Sequence, residues 1–120
     1  MLINKSQQSQ NHEINALQAE FLAAVADTSR VKIIYTLSEG PLNVKSLAAH
    51  LGISHSATSR HLKILRDKNL VNSHRQGHTV LYSLAAPQVL KALDIFLDIL
   101  NNQISHQATL IKLERYHEDQ

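Results

Sequence analysis

The chain has 120 residues, with 12 Lys and Arg, 10 Asp and Glu, 8 His and no Cys, and its formal net charge is +2. This length favours one small domain over a two-domain enzyme, and the lack of Cys excludes disulfides, thiolate metal sites and Cys nucleophiles. Hydrophobic residues make up 43% of the chain but aromatic residues only 4%, so we expect an aliphatic core, which suits helices.

The first eleven residues are polar and rich in Gln, Asn and Ser. Such a segment buries too little surface to offset the entropy of ordering, so we predict a flexible arm over 1–11 and a single domain over 12–120. The start of the sequence has no apolar stretch resembling a secretory signal, and no apolar run approaches the roughly 20 residues that span a bilayer. We therefore expect a cytoplasmic protein.

Two helices are predicted before residue 40. Apolar residues recur at helical spacing at Ile14, Leu17, Phe21, Leu22 and Val25, which indicates an amphipathic helix over about 13–26. A second helix over 30–37 is expected to be capped by the polar residues at 27–29 and to turn Val31, Ile34 and Leu37 inward. It should end at the Glu39-Gly40-Pro41 sequence, because Pro cannot continue a helix.

A helix-turn-helix unit is predicted over about 43–68. Its first helix has the apolar face Val44, Leu47, Ala48 and Leu51 and stops at Gly52. Ile53 is expected to be a buried plug, and Ser54 or Ser56 should cap the next helix. That helix is expected to bury Ala57, Thr58, Leu62 and Leu65. Its opposite face is entirely polar and consists of Ser56, Ser59, Arg60, Lys63 and Asp67.

A β-hairpin and a long helix complete the prediction. The segments LVNSHR and TVLYSL flank QGH and are rich in β-formers, which indicates a hairpin wing over about 70–84. Pro87 suits the first turn of a last helix over about 87–117. This helix carries an apolar stripe at Leu90, Leu93, Leu97, Leu100 and Ile104, and we interpret the stripe as a surface for a second copy of the chain.

Positive charge is concentrated in the middle of the chain. Residues 30–84 have eight Lys and Arg against two acidic residues, a net of +6, whereas residues 1–29 and 85–120 are each at −2. A focused basic region of this kind attracts a polyanion. In helix-turn-helix units the second helix lies in the major groove, where an Arg such as Arg60 is able to make a bidentate contact with guanine.

Residues 26–84 resemble the winged-helix core of the ArsR/SmtB family of bacterial repressors. The resemblance rests on four motifs: Asp27-x-x-Arg30, Leu51-Gly52-Ile53-Ser54, the run from Ser59 to Arg66 and the Gly77 turn that leads to Leu81-Tyr82-x-Leu84. It implies a mainly α fold with a small β-hairpin wing, that is, a winged helix-turn-helix that dimerises through its first and last helices. It also implies a homodimer that binds palindromic double-stranded operator DNA and is released by an inducer.

The resemblance further implies roles for individual residues. The DNA-contacting positions are His55, Ser56, Ser59, Arg60 and Lys63 on the second helix of the unit, with Arg75 and His78 on the wing. His61 is expected to pack inside the protein instead of reading a base. The dimer interface is expected to contain Leu17 and Phe21 together with the apolar stripe of the last helix.

No resident cofactor is expected. The metal sites of the family would need Cys where this chain has Asn43 and Lys45, or His and carboxylate ligands where it has Ala86, Gln88, Ile99 and Asn102. A His and Glu site for zinc or nickel at His106, Glu114, His117 and Glu118 is kept as an alternative. The inducer, the operator sequence and the direction of regulation stay open.

Two other functional classes fit the sequence less well than a DNA-binding regulator. A winged-helix module that binds protein and has lost operator recognition is disfavoured by the basic face of the second helix. An enzyme is disfavoured because the sequence has no Gly-rich phosphate loop and no grouping of nucleophile, His and carboxylate that the predicted helices would bring together.

Overall fold

The computed structural model describes residues 5–118, with side chains described for 5–115. This part of the chain contains five helices and one antiparallel hairpin: α1 Lys5–Val25, α2 Thr28–Leu37, α3 Val44–Leu51, α4 His55–Asp67, β1 Val71–Gln76, β2 Thr79–Leu84 and α5 Gln88–Glu118. The predicted order and types of the elements are therefore confirmed. No helix within 5–118 has the length and apolarity needed to cross a membrane.

The chain divides into two compact units, with the boundary between Ala86 and Pro87. The sequence, in contrast, predicts a single domain over 12–120. The first unit contains α1 to α4 and the hairpin, and the second contains α5. The helix-turn-helix and the wing therefore belong to the same unit.

The beginning of α1 differs from the prediction. The helix begins at Lys5, so residues 5–11 are helical and not an irregular arm, while residues 1–4 lie outside the described part. Every residue from 5 to 23 is exposed, and this end of the helix therefore has no buried stripe. Gln and Lys are good helix formers, which explains how a helix forms where apolar periodicity gives no signal.

Three side-chain caps begin α2, α3 and α4. Asp27 Oδ1 accepts the amide N–H of Arg30 at 3.1 Å, Asn43 Oδ1 accepts that of Ser46 at 2.8 Å, and Ser54 Oγ accepts that of Ala57 at 3.1 Å. Each cap satisfies an amide that has no carbonyl partner at the helix start. The predicted cap of α4 is thus Ser54, and Ser56 lies inside the helix.

The core of the first unit is aliphatic, as predicted. Its members are Ala24, Ile33, Ile34, Leu37, Leu47, Leu62, Leu65, Leu70 and Val71, with Thr58 as the one buried polar residue. Thr58 Oγ1 donates to the Ser54 carbonyl at 2.9 Å, so its hydroxyl is satisfied. Two predictions were wrong in detail: Ile33 is buried where Val31 was expected, and Ile53 is only half-buried.

The turn between α3 and α4 depends on a left-handed residue. Gly52 has φ +67° and ψ 29°, and its N–H reaches the Ala48 carbonyl at 2.9 Å. The Ile53 N–H reaches the same oxygen at 3.3 Å. These bonds end α3 and redirect the chain into α4, because only Gly adopts this conformation without steric cost.

The wing is the hairpin formed by β1 and β2. Val71 pairs with Leu84 at its base and Gln76 with Thr79 at its tip. A bridge between Leu42 and Tyr82 attaches β2 to the loop before α3, with backbone hydrogen bonds of 3.1 and 2.8 Å. In β1 only Val71 is buried, so the strand projects from the unit and exposes residues 72–76.

The second unit is the helix α5. Val89 and Leu93 are buried, and Leu90 is half-buried. From Ile95 onward every described residue up to 115 is exposed. Most of the apolar surface of α5 is therefore open to solvent in the single chain.

Candidate nucleic-acid interface

The polar face of α4 is open and unoccupied by other side chains. His55, Ser56, Arg60 and Lys63 are exposed, and Ser59 is half-buried. None of these five side chains has a hydrogen bond or ion pair with another described residue. Their donors and acceptors are therefore available to an external partner, as groups that read base edges or phosphates must be.

The wing presents the two residues predicted for it. Arg75 lies opposite Val80 near the end of β1, and His78 follows Gly77 in the turn. Gly77 has φ +66°, which allows the tight reversal. Arg75 and His78 are both exposed. The strand pairing therefore fixes where the Arg75 backbone lies, while its side chain extends into solvent.

An open cleft of about 360 Å³ brings the wing together with the helix-turn-helix unit. Its lining includes Lys45 at the start of α3, His55 at the start of α4 and His78 in the wing turn. Arg60, Lys63 and Arg75 are not part of this lining. Sequence reasoning missed Lys45 as a site residue, and its only signal was membership of the basic region.

Two members of the basic region have partners within the same chain. Arg30 donates through Nε to the Ala24 carbonyl, through Nη2 to the Ala23 carbonyl at 3.1 Å, and through Nη1 toward His61 Nδ1 at 3.2 Å. Lys68 Nζ donates to Glu20 Oε2 at 2.9 Å, and this contact lowers the pKa of the Glu20 carboxyl. These two cations therefore contribute less to an external surface than the charge count suggests.

His61 is a packing residue, as expected. Its side chain is 21% exposed, and Nδ1 lies 3.9 Å from Asp27 Oδ1. The hydrogen bond from the Arg30 N–H lowers the pKa of Asp27; burial partly offsets this effect, and the charge of Arg30 adds to it. His61 thus belongs to a polar junction among α1, α2 and α4 and does not face outward with Arg60.

The residues predicted for the dimer interface differ in exposure. On α1, Leu17 is 62% exposed and Phe21 39%, and they share a shallow apolar depression with Gln18 and Leu22. On α5, Leu97, Leu100 and Ile104 are exposed by 42 to 53%. Leu93 is already buried and Leu90 is half-buried, so these two add less surface to a second copy than predicted.

The alternative metal ligands are not brought together among the described residues. His106 and Glu114 are exposed on α5, and the side chains of His117 and Glu118 lie outside the described part. No group of three or more His, Asp or Glu with metal-binding geometry occurs among the described residues.

Known proteins resemble both the sequence and the fold. The sequence model described as "Bacterial regulatory protein, arsR family" matches residues 27–73. The nodulation protein NolR of Rhizobium meliloti is 39% identical over 90 residues, which cover 75% of this chain and 74% of that protein. A transcriptional repressor SmtB homolog of Synechocystis is 44% identical over 72 residues, 60% of this chain and 54% of the relative, so the match spans about half of that protein. The crystal structure of NolR from Sinorhizobium fredii superposes with a TM-score of 0.70 at 33% identity and covers 82% of this chain and 95% of that one.

Proposed function

The chain belongs to the ArsR family and is a winged helix-turn-helix transcriptional regulator. From this premise we propose that it is a homodimer that binds operator DNA and represses transcription. In this proposal α4 enters the major groove, with His55, Ser56, Ser59 and Arg60 at base edges or nearby phosphates. Lys63, Arg75 and His78 contact the phosphate backbone. The contacting part of the chain is the helix-turn-helix over 43–68 with the wing over 70–84.

One observation carries this assignment of residues. Apart from Ile64, the exposed residues of α4 are polar, and neither Arg60 nor Lys63 has a partner among the described residues. A solvated helix face of this kind is common, but here it lies in the same unit as a projecting wing whose His78 shares a cleft with His55. The combination fits a groove-binding surface with two separated contact points.

Arg60→Ala tests the base-reading role, with Arg66→Ala as the matched control on the same helix. A duplex enriched by the wild-type protein from a random library is compared with its scrambled version by fluorescence anisotropy. We expect Arg60→Ala to lose about 1 to 3 kcal/mol on the enriched duplex only. We assign Arg66, which is exposed in the last turn of α4, to the phosphate backbone, so Arg66→Ala should weaken binding to both duplexes equally, since a phosphate contact carries no sequence information. Equal losses on both duplexes for Arg60→Ala would refute the role.

The homodimer in this proposal uses the exposed apolar residues of α1 and of α5. Palindromic operators are bound by two-fold symmetric proteins, and each helix on its own leaves apolar side chains in water. One solved relative, Mb0332 of Mycobacterium bovis, is described as a homodimeric winged helix-turn-helix domain, and at 21% identity it supports the fold alone.

We further propose that the protein needs no resident metal. The donor set supports this, because the positions Asn43, Lys45, Ala86 and Ile99 offer no strong metal ligand. A thermal-shift screen of zinc, nickel, cobalt and small metabolites tests the proposal, since a ligand that binds the native state raises the unfolding temperature. A large shift with zinc or nickel that His106→Ala abolishes would favour the metal-sensing alternative.

A further inference from the structure

Polar contacts hold α1 against the rest of its unit. Among its described side chains, α1 buries only Ala24, so apolar packing contributes little to its position. Two polar contacts attach the helix instead. The Glu20 and Lys68 ion pair joins it to the end of α4, and the Arg30 guanidinium binds the carbonyls of Ala23 and Ala24.

The Arg30 contacts extend from α1 to the middle of α4. The carbonyls of Ala23 and Ala24 lie in the last turn of α1, beyond the regular hydrogen bonds of the helix, and the Ala23 carbonyl also accepts the Ala26 N–H at 3.3 Å. A third nitrogen of the same guanidinium lies 3.2 Å from His61 Nδ1. Because a guanidinium only donates, Nδ1 must be the acceptor, and the proton of the neutral imidazole is therefore on Nε2.

His61 is the next residue after Arg60 on the same helix. Packing of Leu62 and Leu65 in the core fixes the depth of α4, but apolar burial is not directional. A hydrogen bond to the ring of His61 is directional and therefore restricts rotation of α4 about its own axis. That rotation determines where the exposed Arg60 side chain points.

We propose that Arg30 is a positioning residue for DNA recognition: it fixes the orientation of α4, and hence of Arg60, relative to the end of α1. The proposal rests on the function proposed above. It also predicts that Lys does not replace Arg30, because one ammonium group cannot bind two carbonyls and a ring nitrogen in this planar arrangement. A ligand or second chain that moves α1 would then change the position of the DNA-contacting face.

The test compares Arg30→Gln and Arg30→Lys with Lys32→Gln, a matched control that removes an exposed positive charge two residues away on α2. His61→Asn places an amide oxygen close to the position of Nδ1, whereas His61→Ala removes the acceptor. Binding to the enriched and scrambled duplexes is measured by anisotropy, and the native fraction of each variant is obtained from urea unfolding and used to correct its affinity.

We expect Arg30→Gln, Arg30→Lys and His61→Ala each to lower the affinity for the enriched duplex about tenfold or more. His61→Asn should lower this affinity less than about threefold. The affinities of Arg30→Gln and Lys32→Gln for the scrambled duplex should be equal. An affinity of native Arg30→Gln within about twofold of Lys32→Gln, or wild-type affinity of Arg30→Lys, would overturn the proposal.

A measurement without DNA separates this inference from the function on which it rests. Nitrogen-15 NMR of the imidazoles should show His61 with its proton on Nε2 in the wild type and in Lys32→Gln. In Arg30→Gln the tautomer balance and the amide shifts around His61 should change. Unchanged spectra would refute the contact itself, whereas a wild-type protein that enriches no duplex would refute the DNA-binding function and leave the spectra to decide whether Arg30 positions α4.

Discussion

Asp27 combines a helix cap with a charge effect. Its carboxylate accepts the N–H of Arg30 at the start of α2 and lies 3.9 Å from His61 Nδ1. The hydrogen bond from the Arg30 N–H, together with the Arg30 charge, outweighs the effect of burial and favours the ionised carboxylate, and the pKa of Asp27 is therefore lowered. The stabilisation from this residue is consequently present when the carboxyl is ionised.

Substitution of Asp27 should reveal both contributions. We expect Asp27→Ala to lower the free energy of unfolding by about 1 kcal/mol at neutral pH, the usual cost of losing a cap. Asp27→Asn keeps a capping oxygen but cannot ionise. Since the folded pKa is lowered, the charge contribution is present above the unfolded pKa of about 4 and is lost as the pH falls through the folded value.

Urea unfolding of the wild type and Asp27→Asn at about pH 6 and about pH 3 measures this difference. The stability gap between the two proteins should shrink at the lower pH, and Glu20, which also has a lowered pKa, is common to both and cancels. A gap that stays constant or widens toward acid would contradict the assignment.

The residue scale also shows where the sequence is informative. A cap among residues 27–29 and a cap at Ser54 or Ser56 were expected because capping depends on neighbours in the chain, and the structure shows that Asp27 and Ser54 are the capping residues. The inward turn of Arg30 depends on the end of α1 and on His61, which is 31 positions away. No local pattern encodes such a contact, so Arg30 was counted with the basic surface.

At the scale of elements, helix ends were predictable where an apolar pattern is bounded by a residue that caps or ends a helix. The end of α3 and the start of α4 follow from Gly52, from Ser54 and from the apolar spacing of the two helices. The predicted start of α1 was wrong because the first turns of this helix are polar and exposed, so that neither an apolar pattern nor a capping residue marks them. The polar side of α4 was predictable from its residue types, but the exposure of Ile64 and the cleft with Lys45 depend on how the elements pack.

Gly52 offers a clean test of the turn between α3 and α4. A Cβ built at this position has no heavy atom within 4 Å, so the only cost of Gly52→Ala is the left-handed φ of +67°. We expect a loss of about 1 to 2 kcal/mol in unfolding free energy for Ala. Asn tolerates this conformation better, so Gly52→Asn should lose less than Gly52→Ala in urea titrations. Equal losses for Ala and Asn would mean that backbone strain is not the cause.

At the scale of the whole molecule, the single chain leaves much apolar surface open. Leu17 and Leu22 on α1 are more than half exposed, and Ile95, Phe96 and Leu100 on α5 are similarly open. Exposed apolar area of this extent is typical of association surfaces. The sequence identified the stripe on α5, but it did not indicate that the stripe is buried at its start and exposed beyond it.

Leu100→Asp should therefore shift a dimer toward single chains. A symmetric interface contains the residue twice, and each lost Leu removes about 1.5 to 3 kcal/mol of apolar burial. We expect the dissociation constant to rise about a hundredfold or more by sedimentation velocity. Asn102→Asp adds the same charge two residues away and controls for repulsion alone. A Leu100→Asp protein that sediments as the wild type would exclude this residue from the interface.

Arg30 and Lys68 have partners within the chain, and this limits how many counterions the protein displaces from a nucleic acid. Of eight basic side chains in residues 30–84, six have no partner among the described residues. A two-fold complex then has at most twelve such groups, and the slope of log affinity against log salt should not exceed about 11 in magnitude. If all sixteen basic side chains of the two chains contacted phosphates, the limit on the slope would be about 14. A slope steeper than the first limit would mean that Arg30 or Lys68 leaves its partner on binding or that basic residues outside 30–84 also contact the nucleic acid.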